Sequence, residues 1–413
     1  MRAVWLLVAI AVLALNLRPP FTAPGALLPD IAADLHMSTT LAGLLPTLPV
    51  VCLGVFALAA PPLRRRWGDE GVIAVCIPLL VLGSLLRAAP AVGPFPWVAL
   101  FGGTIVVGAA VGIANVALPA LIKREFASRV TQVTSLYTVF LTLGSSVAAA
   151  TAVPVMHAAG GNWRVPLLAL AGLALLTGLV WLPPFRSALL RIRLSRSAGA
   201  DTAVPAATAG TLLRSPLAWQ VTAFMGLQSL LAYVVFGWMP TVAQDRGLDA
   251  TAAGLALSLS TLVQAVGAMC LPLLVGRRDD QRLPAVGLFG LSALGLLGFF
   301  LAPLPWIWVS SVVLGFGMGA LFGLALSVIG LRAPDAAIAS RLSGMAQAVG
   351  YLLAALGPLL VGVLHDLSGA WFLPLCLLLV VCLSGAAAAL GAGRPLHVGA
   401  TAPEPARSSS ELT

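Results

Sequence analysis

Charged side chains are rare in this chain: Asp, Glu, Lys and Arg make up 9% of 413 residues, against 60% hydrophobic ones. A soluble domain carries roughly a quarter charged residues, so the deficit excludes a water-soluble globule and points to a polytopic membrane protein. Paired cysteines are also lacking. All five (Cys52, Cys76, Cys270, Cys376 and Cys382) stand in apolar runs with neither C-x-x-C nor metal-ligand spacing, which leaves packing rather than a disulfide framework or a metal site. The chain contains no H-E-x-x-H, no G-x-S-x-G and no acid pair inside an apolar run, so it lacks an acid/base constellation for catalysis and implies neither metal nor cofactor. All fourteen acids and four histidines fall in loops, tails or span ends. Coupling to protons through a buried carboxylate therefore lacks its usual residue. Uniport, exchange and proton movement through the solute's own ionisation stay open.

Long apolar runs are abundant. With about 20 residues needed to cross roughly 30 Å of hydrocarbon, spans fall near 3–26, 41–60, 71–89, 97–121, 131–155 and 164–183, and again near 216–239, 251–275, 284–302, 305–330, 338–363 and 370–391. The expectation is an all-α membrane protein of twelve transmembrane helices. Residues 1–184 form one six-helix bundle and 216–392 a second; a basic, then Ala/Thr/Pro-rich linker at 185–215 joins them, and a polar, disordered tail follows from 393 to 413. The first span lacks a small-residue cleavage site and reads as a retained helix.

The net charge of +9 is a matter of topology. Of the 23 Lys and Arg residues, all but Arg18, Arg87, Arg164 and Arg246 fall in segments on the side of the N-terminus. Cytoplasmic segments are enriched in Lys and Arg, so both termini are expected in the cytoplasm, and a nucleic-acid footprint is not. Arg87 and Arg164 read as caps on outer loops.

A shift of 211 residues superposes the halves without a gap. "PDIAADLHMSTTLAGL" (29–44) falls on "PTVAQDRGLDATAAGL" (240–255), Asp34 on Asp245, Arg66 and Asp69 on Arg277 and Asp280, and Gly108 and Gly112 on Gly319 and Gly323. Parallel six-helix repeats related by an axis along the membrane normal suit alternating access, in which two similar bundles rock about a central site.

The stretches "LNLRPPFTAPGALLPDIAADL", "LLPTLPVVCLGVFALAAPPL", "GAAVGIANVALPALIKREF" and "SLYT" make the sequence resemble a major facilitator superfamily member, and more narrowly the cyanate and 2-nitroimidazole transporter family. The resemblance implies transport of a cyanate-like anion or a nitroimidazole-like compound through the bacterial inner membrane, the first by uptake and the second by export. It departs from the superfamily's loop between the second and third helices: "LRRRWGDEG" has Asp69 and Glu70 where two basic residues are usual and lacks the upstream Asp, which puts the customary cytoplasmic latch in doubt.

Arg18 is the residue that composition does not anticipate. It lies about 22 Å into the first span at 1.5 Å per residue, too deep for easy snorkelling, so it cannot face lipid. Pro19 and Pro20 follow, which predicts a break in the helix and unpaired carbonyls at Leu15 and Asn16. Broken helices line cavities, and a planar, permanently charged fork of five N–H groups suits an anion or a planar polar group. The alternative is a structural tie to backbone carbonyls; the lack of a deep acid favours an outside anion.

Other polar residues in the spans are candidates for the same site: Asn115, for substrate or for a bond across its helix interface; Gln228, beside Ser229, the repeat mate of Arg18; Gln347 and Tyr351, four apart on one face; and, more weakly, Gln264, Tyr137 and Tyr233. Trp238, Trp97 and Trp306 read as anchors at the membrane surface. "GFGMG" (315–319) precedes no G-K-S/T and reads as helix packing. Asn16 is expected to serve the break locally. The resulting expectation is a monomeric secondary transporter in the lipid bilayer that moves a small anionic or planar polar solute. The alternatives are a broad drug exporter and a non-transporting solute sensor.

Overall fold

The computed structural model of the chain describes residues 2–90, 97–126, 129–197, 212–275, 280–334 and 336–398, and all of their regular structure is helical. The first half consists of α1 (Arg2–Leu17), α2 (Pro19–Ala26), α3 (Leu28–Asp34), α4 (Thr39–Ala57), α5 (Ala60–Arg87), α6 (Val98–Glu125), α7 (Val130–Ala158) and α8 (Arg164–Ser197). The second half holds α9 (Pro216–Asp245), α10 (Ala250–Val275), α11 (Arg282–Leu301), a 3₁₀ turn (Leu304–Trp306) leading into α12 (Ile307–Leu331), α13 (Ala336–Ser368) and α14 (Phe372–Ala392). Twelve helical stretches are long and apolar enough to cross a membrane, with α1 and α2 together making the first. They correspond one for one to the spans read from the sequence.

Two boundaries differ from expectation. The stretch read as linker begins as helix, since α8 runs on to Ser197; residues 198–211 lie outside the described residues. The tail is held at its start, because Arg332 donates to the carbonyls of Ala392 (2.9 Å) and Gly393 (3.1 Å), and the N–H of Val398 returns to the carbonyl of Arg332 (2.8 Å). A guanidinium at a helix C-terminus satisfies the last carbonyls and the dipole together. Residues 399–413 lie outside the described residues.

The repeat is reproduced bond for bond. At the end of α3 the N–H of Met37 bonds to Ala32 O (2.9 Å), and at the end of α9 that of Leu248 bonds to Ala243 O (3.0 Å), in the 6→1 pattern of a helix C-cap. The left-handed residue is His36 (φ 49°) in one and Gly247 (φ 105°) in the other. Ser38 then caps α4 through Leu41 N (3.2 Å), as Asp249 caps α10 through Ala252 N (2.9 Å). Asp34 accepts the indole N–H of Trp163 (2.9 Å), and Asp245 that of Trp371 (2.8 Å).

The halves meet along α4 and α13, α7 and α10, and α2 and α9. Ser146 Oγ lies 2.8 Å from Ser258 Oγ across the second of these seams. At the face opposite the termini, the Asp366 carboxylate on α13 accepts the N–H groups of Thr39 (3.1 Å) and Thr40 (2.6 Å) and the Thr40 hydroxyl, capping α4 from the other half. "GFGMG" is helix packing, as read: Gly315 and Gly319 bring α12 onto the carbonyls of Ser260 and Gln264 in α10, where any Cβ would collide.

Candidate functional site

The first span is broken where the prolines require it. Arg18 is a bend between α1 and α2 with φ −100° and ψ −33°, and Phe21 N bonding to Arg18 O (3.0 Å) starts the new helix. Three prolines remove three backbone donors: Pro19 and Pro20 leave Leu15 and Asn16 without their usual partners, and Pro24 leaves Pro20 without one. Each carbonyl orphaned in an apolar interior costs about 1–3 kcal/mol.

Neighbouring helices close in on the break, and one of the three carbonyls, that of Pro20, receives a side-chain donor. The carbonyl of Leu15 packs against Gly144 of α7 so closely that a Cβ there would overlap it. Pro20 O accepts from Arg87 Nη1 of α5 at 3.1 Å. Thr22 Oγ1 donates to Ser145 O on α7 (3.1 Å). Asn16 reaches beyond its own turn: Nδ2 donates to Val12 O (3.1 Å) and also to Thr177 Oγ1 of α8 (2.5 Å), tying the upper end of α1 to the sixth span.

Arg87 is therefore not an outer-loop cap. It is 1% exposed, and a lone carbonyl inside the bundle has drawn it inward. Arg164 does sit at the surface, paired with Asp34 (3.1 Å) and stacked on Trp163 (4.1 Å to the ring centroid).

Arg18 lies between the halves. Its guanidinium carbon is 5.3 Å from the ring of Phe236 on α9 and 5.7 Å from that of Phe322 on α12. Among the described residues no hydrogen bond or ion pair engages it, and it is half-buried rather than sealed. All three tyrosines of the chain lie close enough to interact with its charge: Tyr137 from the first half, Tyr233 and Tyr351 from the second. Tyr233 is the hub of the aromatic wall, 5.5 Å from Phe21, 5.9 Å from Phe236 and 6.2 Å from Tyr351 between ring centroids. A cation between aromatic faces keeps its N–H edge free for a third party, because the rings interact with the flat faces of the guanidinium.

The sequence candidates divide around this point. Tyr137 donates to Asn115 Oδ1 (3.2 Å), joining α7 to α6. Tyr351 belongs to the aromatic wall but does not pair with Gln347, whose amide donates one turn back to Ser343 Oγ (2.9 Å). A hydroxyl-bearing residue at i−4 is within reach of the Gln amide, whereas a ring at i+4 turns into the aromatic cluster. Gln228 is 2% exposed and spends its amide on Met225 O (3.1 Å) and Ser229 Oγ (2.7 Å), within its own helix. Gln264 is half-buried, its Nε2 sealed and without a partner.

Trp238 is 2% exposed and bonds to Pro358 O (2.9 Å). It fills the junction of α4, α9 and α13 beside Gly43 and Gly362, a seam of the two halves rather than the membrane surface. Trp306 remains exposed. Phe236 and Phe322 had no distinguishing signal in the sequence, being aromatic residues among apolar ones.

The atypical loop builds a charged cluster inside the first half. The helix breaks at Gly68 (φ 69°), and Asp69 and Glu70 open the segment that follows, where free N–H groups favour acids. Asp69 accepts from Arg64 Nε (2.5 Å) and Arg124 Nη1 (2.7 Å), and Glu70 pairs with Arg124 Nη2 (2.6 Å), fastening α5 to α6.

Twin bundles with a broken first helix and a cation between them have the architecture of membrane transporters built from parallel repeats. The sequence profile of the Major Facilitator Superfamily matches residues 4–358, and the chain belongs to that family. The 2-nitroimidazole transporter of Escherichia coli (strain K12) is 38% identical over 395 residues, covering 95% of this chain and 96% of that protein. The cyanate transport protein CynX of the same organism is 30% identical over 371 residues, covering 89% and 92%. Among solved structures, the crystal structure of a D-xylose-proton symporter superposes with a TM-score of 0.76 at 15% identity over 96% of this chain and 99% of that one, a likeness of fold alone.

Proposed function

We propose that the protein carries a small anionic or planar polar solute, of the cyanate or nitroimidazole kind, across the bacterial inner membrane by alternating access, with Arg18 as the principal recognition group and both termini cytoplasmic. The observation that carries the reading is the state of Arg18: a permanent cation between the halves, flanked by Phe236 and Phe322 and without an acidic partner among the described residues. A charge at such depth is costly unless something negative or strongly polar meets it. A solute with a delocalised π system fits between the rings while its polar edge takes the N–H groups. The names of the relatives, 2-nitroimidazole transporter and cyanate transport protein, are consistent with that chemistry.

The test is uptake of labelled cyanate and 2-nitroimidazole into proteoliposomes. Losing a charge-assisted hydrogen-bonding group lowers transport efficiency by roughly 10- to 100-fold in Arg18→Gln. Retention in Arg18→Lys would assign the effect to charge, and loss there to the planar fork. Wild-type rates in Arg18→Gln would rule out the recognition role, and binding without movement into the lumen would favour a sensor.

A further inference from the structure

Arg18 stands on a helix whose break is held from the side by a residue at the far end of another span. In α2 the carbonyl of Pro20 faces position 24, and Pro24 has no N–H to give it. Arg87, the last residue of α5, supplies the missing donor through Nη1 at 3.1 Å. It is 1% exposed, no acid among the described residues pairs with it, and Nε and Nη2 have no partner. Gly103 of α6 leaves it room, since a Cβ there would come within 2.9 Å of the Arg87 Cγ. A fully buried cation kept for a single bond to one carbonyl, two residues beyond Arg18, has its purpose in that carbonyl.

We infer that Arg87 is a positioning residue: it replaces the backbone bond that Pro24 deletes, and so fixes the angle at which α2 leaves the break and the direction in which Arg18 is presented. The inference rests on the reading of Arg18 as the recognition group only for its functional consequence; the hold on α2 is independent of any solute.

The experiment is a rescue. Pro24→Ala restores an N–H that reaches Pro20 O within the helix. Four proteins are compared with wild type: Arg87→Met, Arg87→Lys, Pro24→Ala, and Arg87→Met combined with Pro24→Ala. Hydrogen exchange of the Phe21–Ala26 amides in detergent reads the hold on α2, and the apparent KM for labelled cyanate and 2-nitroimidazole reads the aim of Arg18. In Arg87→Met, exchange in this segment rises by about tenfold and KM rises more than Vmax falls. Arg87→Lys is intermediate, having one compact charged head in place of the fork. The combined variant returns both readouts to within about twofold of Pro24→Ala.

An unrescued combined variant, or unchanged exchange in Arg87→Met, overturns the inference, as does restored exchange with KM left high. If Arg18→Gln transports normally, the functional reading fails separately, and the exchange rescue still decides whether Arg87 holds α2.

Discussion

Among single residues, charge placement decides most of the behaviour. Arg18 and Arg87 are both arginines in apolar surroundings; one keeps its N–H edge open between aromatic rings, and the other gives one N–H to a carbonyl. Replacing Phe236 by Leu removes a ring from the face of Arg18, and since a cation–π contact is worth about 0.5–2 kcal/mol, transport efficiency should fall roughly two- to tenfold while the protein stays folded. Unchanged kinetics would show that the ring is packing only. Asp30, at the start of α3, provides a pH test. Burial raises its carboxyl above the ordinary value, against weaker opposition from its own backbone bond and from His157. Because the folded value lies above the unfolded one, the native state binds the proton more readily, and the contribution of Asp30 worsens as pH rises through that window. Asp30→Asn should therefore raise the unfolding temperature in detergent more at about pH 7.5 than at about pH 4; equal shifts at both would deny the carboxyl's role.

Helix ends and close approaches carry the argument one level up. The paired C-caps after α3 and α9 place His36 where the second half has Gly247. A left-handed conformation costs a non-glycine residue about 1 kcal/mol, so His36→Gly should stabilise the protein by roughly 0.5–1 kcal/mol, seen as a higher unfolding temperature; a lower one would mean that the imidazole makes a compensating contact. Gly144 is the opposite case, because Leu15 O occupies the place a side chain would need. Gly144→Ala should cost about 1–3 kcal/mol by overpacking, and it should also impair transport, since α7 and the broken first span must separate or bend Arg18 away. A well-folded, fully active Gly144→Ala would contradict the close approach.

For the whole molecule, the question is how the two halves are held. On the face opposite the termini, Asp366 caps α4 from α13 in addition to the helix's own Ser38, a bond without a counterpart among the described residues of α10, since the 211-residue offset places Val155 opposite Asp366. Asp366→Ala leaves the first N–H groups of α4 without their partner from the other half, so a cysteine introduced at Thr39 should react at least about twofold faster with an impermeant maleimide than in the parent protein. Equal rates would show that the seam closes without the latch. Much of this level was readable beforehand: twelve spans, two halves and the 211-residue offset all follow from hydropathy and self-similarity. The residues of the candidate site differ in how visible they are in the sequence. Arg18, Tyr137, Asn115 and Tyr351 stand out as polar residues in apolar runs, whereas Phe236 and Phe322 do not, and Gln228 and Gln347 turn their amide N–H groups onto their own helices.

Hydrocarbon imposes its rule on the chain residue by residue, so the number of crossings, the duplication and the break before Pro19 were fixed by the order of amino acids alone: an apolar run must span, and a proline has no N–H wherever it is placed. Which neighbour answers an orphaned carbonyl is a matter of three-dimensional arrangement. Arg87 is 67 residues from Pro20 along the chain and 3.1 Å from it in space, and only the packing of α5 and α6 beside α2, with Gly103 making room, could assign it there.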